Sequence, residues 1–232
     1  MKRWYYYLFC AATMALMLLC TWWGSKAVSV ISETLPFERT HCVVIDPGHG
    51  GEDGGATSCT GRMESEYNLA ISRRLNDLLH LLGYRTRMTR TSDVSIYTTG
   101  DTIAQKKVSD LKERVRIVNE IGNALLVSIH QNQFSDSRYS GAQVFYAKTE
   151  GSKELGQQLQ KKLVEALNPG SNRKSKPISG VYLMEKINCT GVLVECGFLS
   201  NPREESRLRD SEYQKKLCCV IAAAVCQHLS NT

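Results

Sequence analysis

The sequence contains no Cys-x-x-Cys pair and no cysteine–histidine spacing of the kind that holds a structural zinc. Nor does it offer a disulfide framework. Of nine cysteines, Cys10 and Cys20 fall in an apolar N-terminal stretch, which leaves seven, an odd number for bridges. Cys42, Cys189 and Cys196 sit in or beside apolar strands, and Cys218, Cys219 and Cys226 lie on an apolar helix, so these read as small core fillers, with Cys59 the one expected at the surface. No basic stripe interleaved with aromatics is present, and three of the six formal positive charges belong to Lys2, Arg3 and Lys26, which excludes a nucleic-acid footprint. The remaining weak positive charge suits an anionic surface such as cell wall. No internal repeat or low-complexity tract occurs, so a solenoid and a separate wall-binding repeat module are excluded.

Charge is also missing from Trp4–Ser25, which follows Lys2 and Arg3. A basic start and an apolar stretch long enough to cross a bilayer predict either a signal peptide or a retained membrane anchor over residues 1–27, and in both cases an exported protein. Ser25-Lys26-Ala27 offers a small-residue cleavage site in which Lys26 is unusual. Residues 28–41 read as a linker, and 42–232 as one domain.

Along that domain, short apolar runs alternate with amphipathic ones. Cys42–Ile45 has the length and branching of a buried strand and stops at Asp46-Pro47-Gly48, which leaves His49 on a glycine-flanked loop. Tyr67, Ile71, Leu75, Leu78 and Leu82 recur at helical spacing from Glu64 to Gly83. Strands are predicted at Tyr84–Met88, Leu125–Ile129, Ala142–Ala147 (the more exposed one), Val181–Met184 and Val192–Cys196. Helices are predicted at Leu111–Ile121, Ser152–Leu167, from Asn201-Pro202 with Glu204 completing a capping box, and at Glu212–Leu229. Thr89–Asp110 reads as a long polar excursion near the site, and Ser171–Lys176 as a solvated basic loop. The alternation implies an α/β fold: a single domain with a largely parallel twisted sheet and helices on both faces.

Four polar groups stand where apolar sequence gives way to loop. His49 follows the first strand, Glu64 opens the first helix, His130 ends Leu-Val-Ser-Ile-His, and Glu195 ends Val-Leu-Val-Glu. Parallel strands would bring these ends to one edge of the sheet. Each has an ordinary structural alternative: His130 as a hydrogen-bonded strand-end histidine, Glu64 as an acid favoured by a helix N-terminus. Glu195 is harder to explain that way, because a carboxylate in an apolar strand costs several kcal/mol unless paired. Together, two histidines and a carboxylate make a catalytic zinc set, with a second carboxylate as general base.

At these residues the chain resembles the zinc-dependent N-acetylmuramoyl-L-alanine amidases of bacterial cell-wall hydrolysis. The motifs are Asp46-Pro-Gly-His-Gly-Gly51, Glu64-Ser-Glu-Tyr-Asn-Leu69, Ser128-Ile-His-Gln-Asn132 and Val194-Glu-Cys-Gly-Phe-Leu-Ser-Asn201, and the likeness runs over Val43–Leu229. It implies one Zn²⁺ per chain on His49, Glu64 and His130, with Glu195 as catalytic acid–base. The family places its ligand glutamate four residues before the Asn of Asn-Leu, which selects Glu64 over Glu66. Asp110–Asn119 and Ser179–Met184 resemble the germination-specific amidases of spore cortex. Those strip the stem peptide from muramic acid on the way to muramic-δ-lactam. The substrate implied is therefore peptidoglycan, with membrane attachment through the N-terminal segment and room for an activating protein partner. Departures from the wider family are Ala124, Thr190 and Gln131, none of them in the metal set.

Asp46 is a candidate for orienting a ligand histidine, with a strand-end turn role as the alternative. Asn132 is a candidate for substrate contact, and Gln131 for narrowing the groove or touching substrate. The competing readings are a vegetative wall autolysin, a zinc exopeptidase of the same architecture, and a non-catalytic wall-binding protein. An exopeptidase would commonly need a second metal, and no further ligand cluster is present. A binding protein would be expected to have lost one of the four site residues.

Overall fold

The computed structural model describes residues 4, 5, 7, 12–20 and 41–231. The chain divides into two units, Met1–Arg39 and Thr40–Thr232. The described residues of the first are helical. Most of the expected targeting segment and nearly all of the linker lie outside the described residues. Among the described residues, no helix is long and apolar enough to cross a membrane.

In the second unit six described strands form one sheet: β1 (Cys42–Pro47), β2 (Arg85–Met88), β3 (Ala124–Asn132), β4 (Gln143–Tyr146), β5 (Lys176–Pro177) and β6 (Thr190–Phe198). Their order is β2-β1-β3-β6-β4-β5. The first four in that order are parallel; β4 runs antiparallel to β6, and β5 is parallel to β4. From β1 the chain goes first to β2 on one side and then to β3 on the other. The strand order therefore reverses between β1 and β3, where open α/β sheets hold their ligands.

Side-chain alternation assigns the two faces. Val43, Ile45, Leu125, Val127, Ile129, Val192 and Val194 pack under α1 (Glu64–Leu81), α3 (Ser152–Leu167) and α6 (Ser211–Ser230). Val44, Leu126 and Leu193 pack under α2 (Ile103–Asn119) and α4 (Tyr182–Lys186). Helix α5 (Pro202–Arg209) joins β6 to α6. Edge strand β2 alternates exposed Arg85 and Arg87 with half-buried residues, which blunts it against further pairing.

Four expectations need correction. Val181–Met184 is not a strand, since Tyr182–Lys186 forms the short helix α4, turning Leu183 and Met184 into the second core. A short apolar run does not by itself tell strand from helix. The polar excursion ends early, because α2 begins at Ile103, behind a capping box of Thr102 and Gln105. β4 is an interior strand, covered on its outer side by β5. Finally, Asn201 caps α5 as expected, but Glu204 turns away from the cap to accept the N–H groups of Gly141 and Phe198. Every cysteine among the described residues is an unpaired thiol; Cys59 is exposed as expected, but so are Cys20 and Cys219, the latter on the outer side of α6 rather than in the core.

Candidate active site

β1 carries buried apolar side chains up to Ile45, and the chain then turns so sharply that His49 takes a left-handed backbone (φ 61°). Such a conformation is uncommon for a residue with a Cβ and persists where its surroundings hold it. Arg114 donates from Nη2 to the His49 carbonyl (2.7 Å) and from Nη1 to that of Pro47 (2.8 Å). The imidazole is held at both ends. Its Nδ1 donates to Asp53 Oδ2 at 3.0 Å, and its Nε2 faces Glu64 Oε2 at 3.3 Å. Burial would lower the His49 pKa, but Asp53 and Glu64 carry it up to about 9.

Glu64 opens α1 with its carboxylate turned back under the loop, only 4 % exposed. Oε2 accepts from Ala56 N (3.0 Å), while Oε1 accepts from Gln131 N (3.1 Å) and Asn68 Nδ2 (3.2 Å). His130 Nδ1 lies 3.1 Å from Oε1. Burial would raise this carboxyl, but the two histidines hold it well below the usual range. The rings of His49 and His130 meet edge to face, with centroids 5.1 Å apart. A Cβ on Gly48 would fall 2.2 Å from the His130 ring, so that ring has room only over a glycine.

Ligand-type atoms of His49, Glu64 and His130 all lie within 4.8 Å of one another, as a metal ion requires. Glu195 is the register partner of His130 on neighbouring β6. Its Oε2 is buried and has no hydrogen-bond partner among the described residues. Burial pushes its carboxyl up to about 7; Glu64 adds to that and His130 opposes it. A mixed nitrogen–oxygen donor set beside a carboxylate with an unspent oxygen fits a hydrolytic metal and its proton acceptor.

The lesser candidates fare differently. Asp46 does not touch a histidine: it accepts from Thr89 Oγ1 (2.7 Å), Ser128 Oγ (2.7 Å) and Arg114 Nη1 (2.6 Å), which makes it a strand-end anchor. Burial would raise its pKa, and Arg114 with the two hydroxyls brings it down to about 2. The carboxylate that does meet a histidine is Asp53, in Gly-Glu-Asp-Gly-Gly, itself held by Lys107 Nζ at 3.1 Å. Gln131 is 3 % exposed and bonds Asn68 Oδ1 (3.2 Å), so it lines the interior rather than the groove. Asn132 is half-buried at the end of β3. Glu66 accepts from Met63 N and Arg62 Nε, so it caps α1 instead of competing as a ligand.

This fold, with a histidine–glutamate–histidine cluster that could hold a metal ion at the carboxyl edge of its sheet, is that of a hydrolase. The chain belongs to the N-acetylmuramoyl-L-alanine amidase family (Amidase_3), whose profile matches residues 43–227. It is a peptidoglycan amidase, with relatives in several bacteria. The germination-specific N-acetylmuramoyl-L-alanine amidase of Bacillus subtilis is 35% identical over 191 residues, 81% of this chain and 79% of the relative. The CwlD amidase from Clostridioides difficile, solved in complex with the GerS lipoprotein, superposes with a TM-score of 0.79 at 37% identity, covering 82% of this chain and 99% of that one. The catalytic domain of CwlV from Bacillus (Paenibacillus) polymyxa var. colistinus gives a TM-score of 0.69 at 26% identity over 83% of this chain and 99% of that one.

Proposed function

We propose that this protein is a zinc amidase of the spore cortex, with His49, Glu64 and His130 as the ligands of one Zn²⁺ and Glu195 as the proton-transfer group. The observation that carries the reading is the convergence of three ligand-type groups beside a buried carboxylate oxygen with no partner among the described residues. Zinc, when bound, supplies Lewis-acid polarisation of the lactyl amide carbonyl and makes a water acidic enough to attack near neutral pH. Glu195 takes the proton of the attacking water and delivers it to the alanine nitrogen as the C–N bond breaks, leaving a muramic carboxylate and a free stem peptide. Asp53 holds His49 through Nδ1, and Glu64 is held by three N–H donors. Asn132, half-buried at the end of β3, serves as a substrate contact.

The cortex assignment draws on the name of the Bacillus subtilis relative, and a protein partner on the lipoprotein complex of the Clostridioides difficile one. Export, with residues 1–27 as signal peptide or anchor and 28–41 as linker, draws on the uncharged stretch Trp4–Ser25.

Purified protein is expected to carry one zinc per chain by elemental analysis. On denuded cortex, mass spectrometry should find free stem peptides and bare muramic acid. Glu195→Gln should keep the zinc and lose hydrolysis, whereas His130→Ala should lose both. Shortened peptides still attached to glycan would refute the amide specificity, and a Glu195→Gln protein without zinc would reverse the roles of the two glutamates. Spores carrying Glu195→Gln should lack muramic-δ-lactam; retained lactam would end the cortex assignment.

A further inference from the structure

The segment after β2, read from the sequence as a polar excursion, is folded back along the His49 loop. Thr89 bonds Asp46, Asp93 Oδ1 accepts from Gly51 N (3.2 Å), and Ser95 Oγ donates to the Gly50 carbonyl (2.5 Å). At the centre of this clasp is Arg90, 3 % exposed. Its Nε donates to the Pro47 carbonyl (3.0 Å) and its Nη1 to that of Ser92 (2.9 Å). Its Nη2 donates to two carbonyls at once, Gly48 (3.0 Å) and Ser65 (2.9 Å).

Those last two carbonyls belong to the residue before His49 and the residue after Glu64. They come from different elements, the loop after β1 and the first turn of α1, and one guanidinium nitrogen ties them together. We infer that Arg90 is a positioning residue for the metal site, fixing the separation of His49 and Glu64 through the carbonyls of Gly48 and Ser65. The inference rests on the metal reading above.

The charge environment supports a geometric role. Arg114, the other buried guanidinium here, has two carboxylate partners, Asp46 and Asp110, each at 2.6 Å. Among the described residues Arg90 has no carboxylate within ordinary hydrogen-bond range; exposed Asp93 stands at 3.9 Å. Burial and the neighbouring Arg114 pull the Arg90 pKa down to about 10. A buried cation with no carboxylate in hydrogen-bond contact is an expensive way merely to fill space. What the guanidinium offers in return is a planar fork of donors that reaches four carbonyls in fixed directions. A lysine, with donors on a single atom, cannot span them.

The test is zinc retention in Arg90→Lys, read by chelator competition on the metal-loaded protein, together with the visible spectrum of a cobalt-substituted sample. Arg74→Lys is the control, because Arg74 Nε joins α1 to Gln214 of α6 away from the metal. Zinc affinity is expected to fall by about 10- to 100-fold in Arg90→Lys, the usual effect of losing a group that orients ligands. The cobalt spectrum should shift, while Arg74→Lys should keep wild-type zinc affinity and spectrum even if its melting temperature drops. Arg90→Lys with wild-type affinity and spectrum would overturn the inference and leave the metal reading intact. Wild-type protein that takes up no zinc would overturn both. Should Arg90→Lys fail to fold, Ser95→Ala removes one bond of the same clasp, and unchanged zinc dissociation in that variant would count against the clasp.

Discussion

Asp46 and Asp53 are seven positions apart in one glycine-rich stretch, yet their surroundings give them opposite duties. Asp46 is fully enclosed and balances Arg114, whereas Asp53 is partly exposed and meets His49 Nδ1. Replacing each by Asn should separate the two roles. Asp46→Asn leaves a buried guanidinium short of one partner and should cost about 3 kcal/mol in chemical denaturation. Asp53→Asn should change stability little but speed zinc loss roughly 10-fold or more, since the acceptor on His49 is no longer anionic. The sequence motif draws attention to Asp46 because it ends the strand. It is silent on which aspartate reaches the histidine, a matter of how the loop closes through the Gly50–Asp53 bridge.

At the scale of elements, the loop between β1 and α1 decides whether the proposed ligands meet. Gly55 has φ +69°, and a Cβ there would lie 2.6 Å from Glu64 Oε2 and 2.7 Å from His49 Cδ2. Gly61, in the same loop with φ +84°, has nothing within 4 Å of the equivalent point. Both alanine variants should lose about 1–2 kcal/mol to backbone strain. Only Gly55→Ala should also lose zinc and activity, as measured on purified protein by metal content and cortex hydrolysis. Among the elements themselves, β1, β3 and β6 were readable because each is an apolar run ending in a functional residue. α1 was readable from its 3.6-residue period. The early start of α2 carries a local signal, Thr102-Ile-Ala-Gln105, which polar neighbours obscure. α4 carries no such signal: its five residues are too few for a period to show.

Across the whole molecule, the buried pair Asp46–Arg114 ties α2 to the end of β1 and sets a limit in acid. The Asp46 carboxyl titrates at about 2 in the folded protein, below its ordinary value of 3.8. The folded state therefore binds this proton less readily than the unfolded chain. Its stabilisation, about 2 kcal/mol, is fully present above the unfolded pKa and is lost as pH falls through about 4 toward 2. Urea midpoints measured from pH 6 to pH 2 should drop in that window, and the drop should be shallower in Asp46→Asn. An equal slope in both proteins would place the acid sensitivity elsewhere.

The sequence by itself determined which residues could carry the chemistry. Strand-length apolar runs end in His130 and Glu195 or a turn before His49, and a helix begins at Glu64, because burial demands apolar residues up to the edge of the sheet and releases that demand beyond it. Tertiary structure alone decided how those four are held. The strand order that sets β1 beside β3, the pairing of His130 with Glu195, and the grip of Arg90 and Arg114 on the His49 loop all join residues far apart in the chain. Hydrogen bonds to backbone carbonyls leave no mark on the acceptor's residue type, so no pattern of side chains could have announced them.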